Sequence, residues 1–137
     1  MPISESGAIL IYLAEKTGTL MPPEPVARYE CLQWLMFQVG GVGPMFGQFG
    51  HFYKFSADKI TDKYPTDRYL NESKRLLGVL EGRLSDRDFI MGSDYTIADI
   101  ATAPWVRTLT NTYDAGADFG LDGFKNCLLY TSDAADE

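Results

Sequence analysis

Apolar residues recur along most of the chain at helical rather than strand spacing. The first cluster, residues 7–16, is apolar on nearly every face. We therefore predict a short helix that is buried or covered by a partner, although periodicity alone does not separate it from a buried strand. Thr17 and Gly18 end it in the way that helices usually end. The proline-rich segment 20–25 then predicts a stiff linker.

A long helix is predicted to begin at Val26. Its apolar stripe, at the spacing i, i+3, i+4 and i+7, consists of Leu32, Leu35, Met36 and Val39. The glycines and proline of residues 40–44 should break or kink this helix. An aromatic segment follows, and a further helix is predicted to start at residues 64–67. The stripe of that helix consists of Leu70, Leu77, Leu80 and Leu84.

The last strong helix signal is a capping-box pattern. Thr96 is followed three residues later by Asp99, which predicts a helix start there. This helix should run to about Leu109 and bend at Pro104, and the glycine-rich residues 114–122 predict a loop. Because no repeat and no strand-rich stretch appears, the predicted class is all-α, a bundle of four or five helices.

Composition and charge exclude several classes of function. The 137 residues suffice for one domain with a real core. A net charge of −7 without a basic cluster argues against nucleic acid and anionic membranes as partners, and no apolar run is long enough to span a membrane. Cys31 and Cys127 form no disulfide framework, and no signal peptide is recognisable, so we expect a cytoplasmic location. A single histidine, His51, cannot make a metal site, so no metal is expected.

The last eleven residues, 127–137, continue the sequence without a periodic pattern. Translated back into codons, they resemble the transposon-end adapter that is used in sequencing libraries. We therefore predict that this tail is not native and lies outside the fold, which leaves Cys31 as the only native thiol. The alternative is a natural acidic tail.

Glu5 and Ser6 combine an acid and a hydroxyl at the start of the first apolar helix. Ser6 and the N–H groups of the first helical turn are suited to bind a carboxylate, because those N–H groups lack intrahelical acceptors and the helix dipole favours negative charge. Glu5 is placed to meet an ammonium group. Together the two residues can hold a zwitterion. The simpler interpretation is an N-cap before a buried helix.

The string from Ser4 to Gly18 closely resembles the Glu-Ser motif of the glutathione S-transferase superfamily. Other motifs are similar to the bacterial nu class, the disulfide-bond oxidoreductase group related to the yeast nitrogen-regulator prion protein. They are residues 32–35, residues 38–45 with Gly47 and Gln48, His51-Phe52, residues 67–69, residues 95–101, and Pro104-Trp105. The segment 95–101 occurs throughout the superfamily, whereas residues 40–45 are the more specific signal.

This resemblance implies a domain organisation. Residues 1–18 resemble the end of a thioredoxin-like N-terminal domain with its last helix, 19–25 its interdomain linker, and 26–126 the helical C-terminal domain. The family's thiol-activating residue, its cis-proline and its cysteinyl-binding backbone precede the position of Ile3. We therefore interpret the chain as a fragment that contains no catalytic residue and is inactive alone.

The resemblance also implies binding residues for glutathione, the expected co-substrate. Glu5 and Ser6 match the γ-glutamyl grip, and Gln33 matches a position that reaches the glutathione of the neighbouring subunit in a homodimer. Arg68 matches an arginine that contacts glutathione or its disulfide, although it could equally pair with Glu72. Independently, an aromatic segment could line an apolar substrate pocket or simply pack in the core; its candidates are Met45, Gln48, Phe49 and Phe52.

Two classes of function follow. The first is a glutathione-dependent transferase or disulfide reductase that acts on small electrophiles or disulfides. The second is a non-catalytic, transferase-like interaction domain. The upstream coding sequence discriminates between them, because only the enzyme requires a thioredoxin-like domain before Ile3. We also expect the isolated chain to aggregate or oligomerise through the apolar face of residues 8–14.

Overall fold

A computed structural model describes residues 2–133, and these residues form a bundle of α-helices. Met1 and residues 134–137, the end of the predicted tail, lie outside the described residues. Within this range the α-helices are α1 (Ser6–Thr17), α2 (Pro25–Phe37), α3 (Gly43–Gly50), α4 (Tyr64–Arg83), α5 (Ile97–Asn111), α6 (Gly116–Phe119) and α7 (Lys125–Asp133). The described residues contain no strand, only an isolated bridge between Phe89 and Gly92. The all-α prediction is confirmed.

The predicted interruption after α2 takes the form of a π-helical turn and not of a loop. Residues Gln38–Val42 form this turn, closed by a hydrogen bond from the Gly43 N–H to the Gln38 carbonyl, and α3 continues directly from it. Pro44 lies in the first turn of α3, where a missing N–H is tolerated. A second π-helical turn, His51–Phe55, follows α3.

The buried face of α2 differs from the predicted stripe. Cys31 and Leu35 are the fully buried residues of α2, whereas Met36 is 50% exposed. The predicted stripe therefore included a core residue, Leu35, and a surface residue, Met36. The stripe on α4 is confirmed in its main part, since Leu77, Leu80 and Leu84 are all buried.

Three glycines allow α3 and α5 to pack closely. A Cβ at Gly43 would lie 3.4 Å from the Trp105 indole, and one at Gly47 would lie 3.7 Å from it. A Cβ at Gly50 would overlap the Tyr113 ring. Packing against residues 105–113 therefore requires glycine at position 50, where the Tyr113 ring occupies the space that a Cβ would take, whereas Gly43 and Gly47 lie at ordinary contact distance from Trp105.

The predicted loop 114–122 is wrong. It contains α6 and a 3-10 turn, Leu121–Gly123, because Phe119 and Leu121 are apolar anchors that are buried in the core. Phe119 meets the rings of Phe46 and Phe49 edge-on. Glycine-rich composition indicated turns here but did not reveal the two anchors.

The first residues of the predicted tail are part of the fold. Cys127 and Tyr130 are buried on α7, and the Glu81 carboxylate accepts hydrogen bonds from the Asn126 and Cys127 N–H groups at 3.1 and 3.0 Å. These contacts satisfy N–H groups of the first turn of α7, which lack intrahelical acceptors. The expectation that this segment lies outside the fold is thus wrong for residues 127–133, while its adapter origin stays a prediction.

Helix α1 runs antiparallel to α2. Near its start, a Cβ on Gly7 would lie 3.1 Å from Val39 Cγ2, and near its end Glu15 forms an ion pair with Arg28. The linker that follows α1 is fixed by a hydrogen bond from the Ile97 N–H to the Leu20 carbonyl at 2.9 Å. Only Gly7 and Ala14 of α1 are buried, so the predicted burial of this helix is not achieved by the described residues alone.

The Thr102 hydroxyl on α5 is buried and has no hydrogen-bond partner among the described residues. Thr102→Val removes this hydroxyl at nearly constant shape, so we expect the free energy of unfolding to stay unchanged or rise by up to about 1 kcal/mol. Urea denaturation of the wild type and the variant measures this free energy. Thr108→Val is the control, because the Thr108 hydroxyl donates to the Pro104 carbonyl at 2.8 Å. A clear loss of stability in Thr102→Val alone would contradict the expectation.

Candidate glutathione-binding site

Glu5 has an uncommon backbone conformation at the start of α1. Its φ is +70° and its ψ is 122°, and its side chain makes no capping hydrogen bond. Glu5 is thus the N-cap residue and Ser6 the first residue of the helix, and the cap is made by the backbone carbonyl of Glu5, which accepts from the Ile9 N–H at 3.0 Å. A non-glycine residue at positive φ stores strain that is typically kept at functional positions. Both side chains are exposed.

Gln33 is exposed on α2 and lies in an apolar groove. The groove has a volume of about 380 Å³ and is lined by Gln33, Trp34, Met36, Phe37 and Val79. We call it the Gln33 groove. Its polar member is a single amide, which fits a surface that packs against an apolar partner while holding one polar group in place.

Arg68 is exposed on α4 in a separate, polar groove. This groove has a volume of about 420 Å³ and is lined by Tyr64, Asp67, Arg68, Asn71, Glu72 and Arg75. Glu72 pairs with Arg75 through two hydrogen bonds of 2.8 and 2.9 Å, which lowers the pKa of Glu72. The alternative pairing of Glu72 with Arg68 is therefore wrong. Arg68 forms no ion pair with any described residue.

The four predicted glutathione ligands do not share one groove, since Gln33 and Arg68 line different grooves. Neither Glu5 nor Ser6 lines the groove of Gln33 or that of Arg68. Such a separation is what the resemblance implies for Gln33, which is expected to serve a neighbouring subunit.

The four residues predicted to line a substrate pocket have different environments. Phe49 is fully buried, stacks on Tyr53 at 4.8 Å and meets Phe119 edge-on at 4.9 Å. It is a core residue, so its assignment to a pocket is wrong. Phe52 is half-buried and stacks in parallel on Tyr69, with ring centres 5.6 Å apart. Met45 is half-buried beside the core, and Gln48 is exposed.

Neither cysteine is arranged for nucleophilic chemistry. Cys31 and Cys127 are both buried, and burial raises the pKa of each thiol. Since the thiolate is the reactive form, both groups stay protonated and unreactive near neutral pH. In residues 2–133 no cluster of three or more candidate metal ligands occurs, and no helix there is long and apolar enough to cross a membrane.

The sequence gives no indication of the role of Arg83, whose side chain lies against Trp34 in the wall of the Gln33 groove. Its guanidinium lies over the Trp34 ring, with 5.1 Å between Cζ and the ring centre. The pattern around Arg83 indicated only the polar end of a helix, because its partners are 49 and 53 residues away in the chain. A contact of that sequence separation leaves no periodic signal.

Residues 64–131 match the family described as "Glutathione S-transferase, C-terminal domain". A glutathione transferase from Burkholderia graminis, solved with two glutathione molecules bound per subunit, superposes with a TM-score of 0.94 at 56% identity. The alignment covers 96% of this chain and 55% of that one. A glutathione transferase from Pseudomonas putida, solved with one glutathione disulfide per subunit, gives a TM-score of 0.92 at 53% identity over 96% and 57% of the two chains.

The chain therefore belongs to the glutathione S-transferase superfamily, as its motifs predict. Among curated relatives, it is 47% identical over 110 residues to the disulfide-bond oxidoreductase YfcG of Escherichia coli K12, which is 80% of this chain and 50% of the relative. The chain spans about half the length of the curated relatives that it matches.

Proposed function

We propose that this chain is the C-terminal part of a homodimeric bacterial enzyme of the cytoplasm that uses glutathione to conjugate small electrophiles or to reduce disulfides. The observation that carries the proposal is the strained backbone of Glu5 directly before Ser6 at the start of α1. The similarity to solved transferases with bound glutathione supports it.

The start of α1 has the chemistry that a γ-glutamyl group requires. That group carries one carboxylate and one ammonium. Ser6 and the N–H groups of the first turn of α1 suit the carboxylate, and the Glu5 carboxylate suits the ammonium. These contacts position glutathione but do not ionise its thiol. Thiol activation belongs to the residues expected upstream, so the 137-residue chain alone should be inactive.

The face of α2 that carries Gln33 has the spacing of a helix–helix seam. Val26, Tyr29 and Met36 are 76%, 72% and 50% exposed. With Gln33 they follow one another at intervals of three, four and three residues, which is the spacing of the core positions in a coiled coil. We infer that a second copy covers this seam, which would bring Gln33 close to the site of the neighbouring subunit.

The exposed face of α1 is the second uncovered apolar surface. Ile9, Tyr12 and Leu13 are 38%, 44% and 46% exposed. We infer that residues 1–18 are the end of a thioredoxin-like domain whose remainder covers this face, with residues 19–25 as the linker. An interaction domain that binds a separate protein through the same face is the alternative.

Sequencing the source gene on both sides of this reading frame tests the proposal first. A thioredoxin-like domain before Ile3 would support the enzyme, and the whole reading frame would then be expressed and assayed for glutathione-dependent disulfide reduction and conjugation. We expect Glu5→Gln and Ser6→Ala each to raise the KM for glutathione about 10- to 100-fold, because the first removes the negative charge that faces the ammonium and the second removes a hydrogen bond to the carboxylate. Ser85→Ala, an exposed hydroxyl on the loop after α4, is the control.

Two results would overturn this proposal. A genuine start at Met1 without an upstream domain would favour the interaction domain. A whole enzyme whose KM for glutathione is the same in Glu5→Gln, Ser6→Ala and Ser85→Ala would refute the role of Glu5 and Ser6 as ligands.

We expect the isolated chain to self-associate through α1, since its apolar face is uncovered. Leu13→Lys should shift light scattering of the purified chain toward smaller particles, because a charge on this face opposes its burial. Lys16→Leu, one turn further along α1, is the matched opposite change and should increase association. A wild-type chain that elutes as a clean monomer would contradict the prediction.

A further inference from the structure

One side chain connects three parts of the bundle beside the Gln33 groove. The Arg83 guanidinium donates from Nε to the Ile90 carbonyl at 2.7 Å and from Nη2 to Glu30 Oε1 at 2.6 Å. It also lies over the Trp34 ring at 5.1 Å, within the range of a cation–π contact. Arg83 therefore joins the end of α4 to the following loop and, twice, to α2.

The Arg83 side chain is more shielded from solvent than its ion-pair partner Glu30, whose side chain is 43% exposed. The side chain of Arg83 is only 18% exposed. Partly desolvated charges are less screened by solvent than exposed ones, which contribute little. The planar guanidinium can also donate in two directions while its face stacks on an aromatic ring, which an ammonium group cannot do.

Trp34 transmits this restraint to the groove. Its ring meets Phe37 edge-on, with centres 5.4 Å apart and an interplanar angle of 76°. Both rings line the Gln33 groove. The orientation of Trp34 therefore decides the shape of the apolar surface from which Gln33 projects.

The loop residue that anchors Arg83, Ile90, is hydrogen-bonded through both of its backbone groups. The Ile90 carbonyl accepts from Arg83, while the Ile90 N–H donates to the buried Asp99 carboxylate at 2.8 Å. Ile90 itself is fully buried. A continuous chain of polar contacts thus runs from the start of α5 through Ile90 and Arg83 to α2.

We propose that Arg83 is a positioning residue for subunit docking: it fixes Trp34 and thereby gives the Gln33 groove the shape that a second copy of this chain requires. This inference rests on the proposed function, in which the α2 seam is covered by a second copy. Arg83 itself need not contact that copy or glutathione.

The test uses the 137-residue chain with Arg83→Met, which keeps an unbranched stem, and Arg83→Lys, which keeps the charge. Arg87→Met is the control, because Arg87 pairs with its neighbour Asp86 at 2.8 Å. Sedimentation measures the dimer dissociation constant in a Leu13→Lys background, which removes association through α1. Acrylamide quenching of Trp34 is measured separately in a Trp105→Phe background, at a dilution at which the chain is monomeric.

We expect Arg83→Met to raise the dimer dissociation constant by about tenfold and to make Trp34 more accessible to the quencher. Arg83→Lys should do both to a smaller extent, and Arg87→Met should do neither. If Arg83→Met does not fold, the dimer dissociation constant and the Trp34 quenching of Arg83→Lys test the proposal in its place.

Other outcomes separate the inference from the proposal beneath it. Unchanged Trp34 quenching in both Arg83 variants would overturn the positioning role, even if their thermal stability falls. A wild-type chain in the Leu13→Lys background that stays monomeric at every concentration would overturn docking through α2, and with it this inference. Increased quenching with an unchanged dissociation constant would also overturn it.

Discussion

Replacing Asp99 with alanine is expected to lower the free energy of unfolding by about 4 kcal/mol. The Asp99 carboxylate accepts hydrogen bonds from the N–H groups of Ile90 and Thr96 at 2.8 Å each and from the Thr96 hydroxyl at 2.9 Å. All of these groups are buried. Alanine leaves two buried N–H groups without an acceptor, at about 1–3 kcal/mol each, and also removes the capping box.

Thermal unfolding followed by circular dichroism measures this loss, which should lower the midpoint by more than about 10 °C. Asp94→Ala is the matched control, since Asp94 is an exposed acid in the same loop and should change stability by less than about 0.5 kcal/mol. Asp99→Asn should also be strongly destabilising, because its NH2 group would replace one accepting oxygen and face a buried N–H donor. A loss below 1 kcal/mol in Asp99→Ala would refute this account of the carboxylate.

Burial raises the pKa of the Asp99 carboxyl, although the hydrogen bonds that it accepts oppose this shift. The protonated form of Asp99 is therefore favoured in the folded state, and its contribution to stability is fully present below the unfolded-state pKa and is lost as the pH rises through the raised pKa of the folded state. We expect the difference in stability between wild type and Asp99→Ala to increase as the solution is made more acidic. A difference that shrinks over that range would contradict the direction of the shift.

Gly50→Ala should be the other severe substitution and lower the free energy of unfolding by at least about 3 kcal/mol. The added Cβ would lie 2.5 Å from the Tyr113 hydroxyl oxygen and still closer to ring atoms, where real Cβ atoms essentially never come within 3.0 Å. The Tyr113 ring cannot retreat easily, because it is only 5% exposed and meets both Phe49 and Phe55 edge-on. Overpacking of this kind forces shifts of side chains and backbone.

Two glycines on α4 provide the control for Gly50. No described atom lies within 4 Å of a Cβ placed at Gly78 or Gly82. Alanine there should stabilise the helix by up to about 1 kcal/mol, since glycine is a poor helix former. In a Tyr113→Ala background, Gly50→Ala should cost much less stability than in the wild type. Denaturant unfolding of the wild type, the two single variants and the double variant measures this difference. Equal effects of Gly50→Ala and Gly78→Ala would contradict the packing argument.

The sequence predicted the fold best where one local pattern decides the structure. The capping box from Thr96 to Asp99 is confirmed, and α5 ends at Asn111, two residues beyond the prediction. The leucines of α4 were also predicted correctly. In both cases the signal lies within one or two helical turns, so neighbouring residues contain all the information that is needed.

Prediction failed where distant residues decide. Phe49 looked like a pocket residue, because its burial depends on Phe119, 70 positions later. The tail appeared to lie outside the fold, because its helix depends on the side chain of Glu81. The site was anticipated only as a set of residue types: the strain at Glu5 and the role of Arg83 follow from tertiary contacts and backbone geometry that no periodicity records.

Helix α1 contacts the bundle through Gly7 against Val39 and Glu15 to Arg28, and the linker after it is held by the hydrogen bond between Leu20 and Ile97. A domain that ends in α1 would consequently share the rigid frame of the bundle rather than swing on the linker. Opening and closing of two lobes around a substrate would then be suppressed. In the enzyme proposed above, discrimination between substrates would then come from side chains already in place when the substrate arrives, so that exchange of the residues lining its site, rather than a change of hinge, would give new specificities.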